Sequence, residues 1–380
     1  MQKKIIALAV AGLASTAAFA QTNVQIYGIA DAAYIYTNVN GGTTNNNGNA
    51  TAGNGTEAHG RDTHSIQSGQ LAGSRIGFKG TEDLGNGLKA VFVLEYSLDL
   101  DQNTGVGSGI SGLFARQQFV GLSGKSGDVT LGRQYAPGYF TTTMDPTASS
   151  PALSSVDASQ AFLGATIRTA SAARWNNSVS FKSANYGGFS AHIVRGMGEV
   201  ANEMERGAST GIGADYVNGA LAVKYVYHRA TTPTTANVSF VNGYQDEHYV
   251  GVSFDAKVVK LMGAVQTVDQ GGIANAQGPI ANGGQGRAAS GVAYQFGAVV
   301  PVGKGNIHAS YAYADRSGAN TANLQLGNAL RGDISSINVA YTHGLSKRTT
   351  LYTGLRYTDT DTTNGGSVLT AFGAGINHAF

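Results

Sequence analysis

The residues with most chemistry to offer are charged and sit at alternate positions within short apolar stretches. In Ser74-Arg-Ile-Gly-Phe-Lys79, Ile76 and Phe78 share one parity, and Arg75 and Lys79 share the other. Over Phe92 to Tyr96, the side chains of Phe92, Leu94 and Tyr96 stand together and leave Glu95 on the opposite face. By the same rule, an outward Phe119 puts Arg116 and Gln118 on the polar face. Asp145 and Asp157 lie apart, in a stretch with no two-residue rhythm. Bases and acids set against one another across water produce a transverse field, which orients polar solutes and biases ion passage.

Such a field needs walls, and the chain supplies strands to build them. Fifty-four glycines and 18 tyrosines with 14 phenylalanines against one tryptophan favour turns and strands over helices. Sixteen alternating segments can be counted, beginning with Val24 to Tyr36 and ending with Ser367 to Phe380. Seven short turns alternate with eight longer loops; Asn218-Gly219 is a strong hairpin dipeptide among the turns, and Asn38 to Ser65 is a long solvated loop. Leu351, Thr353, Leu355 and Tyr357 oppose Tyr352 and Arg356, while Ile307, Ala309, Tyr311 and Tyr313 oppose Asn306, His308 and Ser310. Strands near ten residues with apolar-out, polar-in faces, and every proline outside them, fit a closed antiparallel transmembrane β-barrel; a sandwich would hide its apolar face. An even count returns both termini to the same end and leaves no free edge.

Pro137 to Arg168 breaks the rhythm. It carries three of the six prolines and the run of small residues from Thr147 to Ser155. A structureless insert of this length is read as a functional loop, one that can fold into the bore and narrow it.

Composition sets the compartment. Lys3 and Lys4, the apolar run Ile5 to Leu13 and Ala18-Phe-Ala20 form a secretory signal peptide expected over residues 1–20, leaving residues 21–380 as a single barrel domain. Without Lys3 and Lys4, 23 bases balance 23 acids, so nucleic acid is not an expected partner. With no cysteines, disulfide and thiol chemistry are excluded. Beyond the signal no apolar run is long enough for a spanning helix.

The chain resembles the Gram-negative general-diffusion porin family of beta-proteobacterial type. The resemblance rests on Val24-Gln-Ile-Tyr-Gly28 with Asp31, on Ser74 to Ala90 (Ser-Arg-Ile-Gly-Phe-Lys-Gly-Thr-Glu-Asp-Leu-Gly-Asn-Gly-Leu-Lys-Ala), and on Phe119-Val-Gly-Leu-Ser123. Leu131-Gly-Arg-Gln134, Leu345-Ser-Lys-Arg-Thr349 and the terminal Phe380 complete it. It implies an all-β, 16-stranded antiparallel transmembrane β-barrel in the bacterial outer membrane, trimeric, with a long third loop folded into the pore. It also implies passive diffusion of ions and small hydrophilic solutes, surrounding lipid as a partner, and no cofactor. Arg168, where the loop rejoins the wall, resembles the family position that completes a basic cluster. Arg75, Lys79, Glu95, Arg116, Asp145, Asp157 and Arg168 are therefore the expected pore constriction, with loop acids facing wall arginines. Arg133 shares the parity of Val129 and Leu131. A lone charge facing lipid costs about 2–4 kcal/mol at midplane, so Arg133 is assigned to the trimer interface.

Competing readings carry less. Gly207-Ala-Ser-Thr-Gly211 fits a nucleophile elbow, but no helix follows it and no ordered acid and histidine accompany it. Gly107-Ser-Gly-Ile-Ser-Gly112 fits a dinucleotide loop but leads into a strand. The eight histidines lack metal-ligand spacing, so no metal is expected. An outer-membrane barrel enzyme, a protease or lipase, would need a nucleophile and base converging at the rim. A secreted solenoid would need a fixed repeat, and none is present.

Overall fold

The computed structural model describes residues 23–41, 43–44, 50–51, 61–102, 115–147, 150, 152–169, 173–231, 244–271, 289–317, 331–362 and 365–380. The expected signal peptide, most of the first long loop, parts of the Thr147 to Ser155 run, and the motif Gly107 to Gly112 lie outside them.

One antiparallel sheet of 17 segments closes on itself. In chain order they are β1 (Asn23–Gly41), β2 (Arg61–Ser68), β3 (Arg75–Gly85), β4 (Leu88–Ser97), β5 (Ala115–Gly124), β6 (Gly127–Tyr135), β7 (Arg174–Ser183), β8 (Phe189–Gly196), β9 (Ser209–Asn218), β10 (Leu221–Thr231), β11 (Tyr244–Asp255), β12 (Lys260–Gly271), β13 (Ala289–Val302), β14 (Gly305–Ser317), β15 (Gly332–Gly344), β16 (Thr349–Thr362) and β17 (Ser367–Ala379). A two-residue ladder, Thr43–Thr44 with Ala50–Thr51, stands apart. β2 and β3 both pair with β1, from Val39↔Arg61 to Ala32↔Ser68 and from Ile29↔Arg75 to Asn23↔Thr81. They are two halves of one strand, so the barrel has sixteen staves. β1 and β17 close it, from Ile29↔Ala379 to Gly41↔Ser367.

The interruption between β2 and β3 is held by Asp31. Its fully buried carboxylate accepts from the backbone N–H groups of Gln70, Leu71 and Ala72, from the Tyr352 hydroxyl and from the Asn377 amide. A carboxylate with that many donors is satisfied away from water, and the excursion is fixed against the wall. Phe380 seals the same end of the chain, exchanging backbone hydrogen bonds with Gly28 at 3.1 Å.

Burial is inverted relative to a water-soluble protein. Ile26, Val120, Phe296 and Leu355 are 65%, 58%, 62% and 56% exposed on the outside, while His228, Glu247, Gln266 and Asn338 are buried inside. This is the pattern of a wall whose outer solvent is lipid. The hairpin chemistry is as the turn residues require: Asn86 and Gly87, between β3 and β4, both have positive φ (53° and 79°).

Four expectations change. Asn38 to Gly41 and Arg61 to Ser65 are strand rather than loop, so β1 and β2 run past the length a bilayer needs. Pro301 lies inside β13, paired with Asn306 one step from the hairpin, where the ladder is ending and a missing N–H costs little. Phe119 faces inward with Lys79 and Val93, while Gln118 points outward and donates to the Tyr96 hydroxyl. The stretch from Pro137 to Arg168 is not structureless: it holds a 3₁₀ helix, Pro137–Met144, and α1, Ser155–Phe162. Ser154 caps α1 by accepting from the Asp157 N–H, and Asp157 in the first turn suits the helix dipole.

Candidate functional site

The stretch between β6 and β7 runs across the inner wall. The Gly138 N–H donates to His228 Nε2 at 3.0 Å on β10. The Pro146 carbonyl meets His308 Nδ1 on β14 at 2.6 Å, and Pro146 packs against Gly297, where an added Cβ would collide with the proline ring. The Ala152 N–H donates to Gln70, in the excursion on the far side. Ser155 then meets Ser310 and Asn338 on β14 and β15. Returning, the stretch is clasped by Glu247 of β11, which accepts from the Thr166 N–H and hydroxyl at 2.6 Å each and from the Ile167 N–H at 2.9 Å. These wall residues are all of inward parity, so the segment occupies the interior of the barrel.

Beside the point where the segment leaves β6, the wall charges converge. Arg116 Nε donates to Glu95 at 2.8 Å, and Arg75 stands 3.9 Å from the same carboxylate. The Tyr27 and Tyr135 hydroxyls also donate to Glu95, at 2.9 and 3.0 Å. Arg116 further donates to the Tyr135 oxygen at 3.0 Å. The Tyr135 ring stacks on Tyr139 with centroids 3.6 Å apart, and the Arg174 guanidinium lies over both rings. Lys79 sits over the Tyr27 ring, 5.1 Å from its centroid.

Arg116 reaches this cluster by a route that alternation does not describe. Glu95 pairs with Gln117 and Tyr96 with Ala115, so Arg116 is the extra residue of a β-bulge. A bulge sends two successive side chains toward one face. Its inward position therefore holds although the outward parity of Phe119, on which it was expected, does not.

The expected opposition of loop acids and wall arginines takes a different form. Asp145 is buried and satisfied within its own segment, accepting from the Thr147 N–H and hydroxyl and from the Ser154 hydroxyl at 2.6 Å. Burial pushes its pKa up despite those hydrogen bonds. Asp157 is bound through both oxygens by Arg168, at 3.0 and 2.8 Å. Arg168 therefore pairs within the segment and does not join Arg75 and Arg116; Arg174 takes that place. A wall arginine in electrostatic contact with Asp157 is Arg356, which also donates to the Ser154 carbonyl at 3.2 Å. On the other side of α1, Arg316 donates to the Phe162 carbonyl and covers its ring.

Arg133 does face outward, level with Gln118 in the ladder. Its Nε donates to the Ala115 carbonyl at 2.6 Å and a terminal nitrogen donates to Asn176. His228 and Glu247 are not among the site residues expected from the sequence; the signal that could have found them is parity, since His228 alternates with Tyr227 and Glu247 with His248 and the outward Val250 once the strand is extended to Tyr244. Arg174 gave no such signal, because the β6–β7 register shifts between Gly132 and Gln134 beside it. Among the described residues no group of three or more His, Cys, Asp or Glu side chains could hold a metal ion.

Comparisons with known proteins agree over nearly the whole chain. A family model described as Gram-negative porin matches residues 7–363. The outer membrane porin protein 32 of Delftia acidovorans is 30% identical over 94% of this chain and 89% of its own length. An outer membrane porin protein of Bordetella pertussis is 29% identical over the full length of both. Among solved structures, an anion-selective porin from Comamonas acidovorans superposes with a TM-score of 0.71 at 24% identity, covering 95% of this chain and 100% of that one.

Proposed function

The chain belongs to the Gram-negative porin family and is a passive diffusion channel of the outer membrane rather than an enzyme; from that premise we propose that its traffic is controlled where the β6–β7 segment crosses the bore. Arg75, Lys79, Arg116 and Glu95 form the wall side of this constriction, and Asp145, Asp157 and Arg168 form the loop side. Ions and small hydrophilic solutes pass between them. The observation that carries the proposal is the double anchorage of the segment to inward-facing His228 and Glu247, which holds it inside the barrel.

The charges favour anions. Among the described residues, the bases beside the segment and its wall cluster, Arg75, Lys79, Arg116, Arg168, Arg174, Lys182, Arg316 and Arg356, outnumber the acids Asp31, Glu95, Asp145, Asp157 and Glu247. Their field acts over the roughly 8 Å Debye length of physiological salt, which is wide enough to reach an ion in a narrow gap. The name of the solved relative describes that protein as anion-selective, which is consistent with this preference. A homotrimer is proposed as the working form, its seam covering Arg133 and the apolar outer face near it. Residues 1–20 are proposed to direct export as a signal peptide that is then removed.

Reversal potential in a planar bilayer under a KCl gradient tests the reading. Anion selectivity that weakens with rising salt is expected, together with larger conductance after deletion of Thr147 to Ser155. Cation selectivity, or conductance untouched by the deletion, would refute the constriction.

A further inference from the structure

Beside the Arg75–Glu95–Arg116 cluster, toward the short turns, the inner wall encloses a chamber of about 520 Å³. Its lining departs from the polar surface expected of a channel interior. Lys79, Val93 and Phe119 stand directly opposite one another across β3, β4 and β5, so a cation and two apolar side chains form one inward row. Phe140, from the 3₁₀ helix, lines the same chamber, and the Lys182 ammonium lies 5.1 Å from its ring centroid. Among the described residues neither Lys79 nor Lys182 makes an ion pair with a carboxylate. His192 also lines the chamber; its Nε2 meets Ser180 at 2.9 Å, and its buried Nδ1 has no partner among the described residues. Asp128 sits opposite Lys182 in the ladder and is the one acid in the lining among the described residues, where the two lysines leave a net positive charge.

We propose that this chamber is a binding subsite for monocyclic aromatic carboxylates. The carboxylate would be drawn to Lys79 and Lys182, and the ring would pack on Phe119, Phe140 and Val93, exchanging water for apolar contact. Neither feature suffices alone: a simple inorganic anion gains no ring packing from the phenylalanines, and an uncharged aromatic gains only the weaker cation–π attraction of the ammoniums and no ion pair. Placed beside the constriction, the subsite raises the local concentration of such solutes and favours their passage, in the way that multi-site binding supports conduction. This rests on the channel reading given above.

The test uses the full-length trimer in planar bilayers with KCl on both sides and sodium benzoate as the probe; acetate and benzyl alcohol at matched concentration serve as the ringless and uncharged controls. A saturable, reversible fall in current with benzoate alone is expected. Lys182→Gln and Phe119→Ala should each weaken the half-blocking concentration by about fivefold or more, and Lys182→Arg should restore it. If Lys182→Gln fails to assemble, Lys79→Gln is the equivalent readout. Equal responses to acetate and benzoate, or variants that block like the parent, would overturn the subsite while leaving the channel intact. Folded trimers that carry no KCl current at all would overturn the channel reading itself, and the subsite with it.

Discussion

Arg116 meets Glu95 because it is the surplus residue of a bulge: it stands between Ala115, opposite Tyr96, and Gln117, opposite Glu95, and its Nε donates to the carboxylate at 2.8 Å. The field of the wall is thus built partly from a charge pair on neighbouring strands. Glu95 holds two arginines and two tyrosines in place, and it tempers their positive charge as it does so.

Replacing Glu95 with glutamine should move the reversal potential further toward anions, since Arg75 and Arg116 would stand unneutralised. Breaking one side of a buried pair costs about 3–5 kcal/mol, so the barrel should also unfold at a lower temperature. An unchanged reversal potential in assembled protein would mean that Glu95 is hidden from the permeating ion.

Glu247 clasps the returning arm of the segment through the Thr166 and Ile167 N–H groups and the Thr166 hydroxyl. Glu247→Ala leaves those buried donors unpaired, at about 1–3 kcal/mol for each. Open-channel current noise should rise, and the segment should become cleavable by added protease while the barrel stays folded. A quiet, protease-resistant variant would show that His228 and the contacts of α1 are sufficient anchorage.

Burial raises the pKa of Asp145 above its ordinary value. The folded segment therefore holds that proton more tightly than the unfolded one does. Its stabilising contribution is complete below the ordinary carboxylate pKa and is lost as pH rises through the raised one. Amide exchange at Thr147, whose N–H bonds to Asp145, should be slower in mild acid than at neutral pH after correction for intrinsic rates. Asp145→Asn should abolish that difference, and persistence of the difference in the variant would assign it to another group.

If Arg133 lies in the seam of the proposed trimer, Arg133→Ala should lower the temperature at which the assembly dissociates and leave the reversal potential of intact assemblies unchanged. A shifted reversal potential with normal assembly would instead mean that Arg133 acts inward, through its bond to the Ala115 carbonyl beside the Arg116 bulge.

Gly28 lies against the Phe380 ring, and a Cβ there would overlap the ring and fall 2.6 Å from the Arg75 carbonyl oxygen. The ring can turn aside but the ladder carbonyl cannot, so Gly28→Val should reduce the yield of heat-modifiable, folded barrel. Removing Phe380 as well would relieve only the first clash. Full assembly of Gly28→Val alone would contradict the tight closure of β1 on β17 and β3.

Two-residue alternation is a local property of an extended chain, and the sequence therefore determined by itself every stave of the barrel, most of their boundaries to within a few residues, and which charges of Arg75, Lys79, Glu95 and Arg133 face the bore or the outside. The broken rhythm of Pro137 to Arg168 marked the segment between β6 and β7. Only the tertiary structure decided what depends on neighbours distant in the chain. The extra residue that turns Arg116 inward is invisible until β5 is laid against β4, because a bulge is a mismatch between two strands rather than a feature of one. Asp157 finds Arg168 and Arg356, while Asp145 is held by Thr147 and Ser154 and is in electrostatic contact with the wall residue His308 rather than with an arginine cluster, because the path of the segment is set by where Gly297 and Gly251 leave room for Pro146 and Met144, and by where His228 and Glu247 accept its backbone. Arg174 joins the basic cluster for the same reason: the register shift beside it is fixed by packing across β6 and β7, and no pattern within either strand records it.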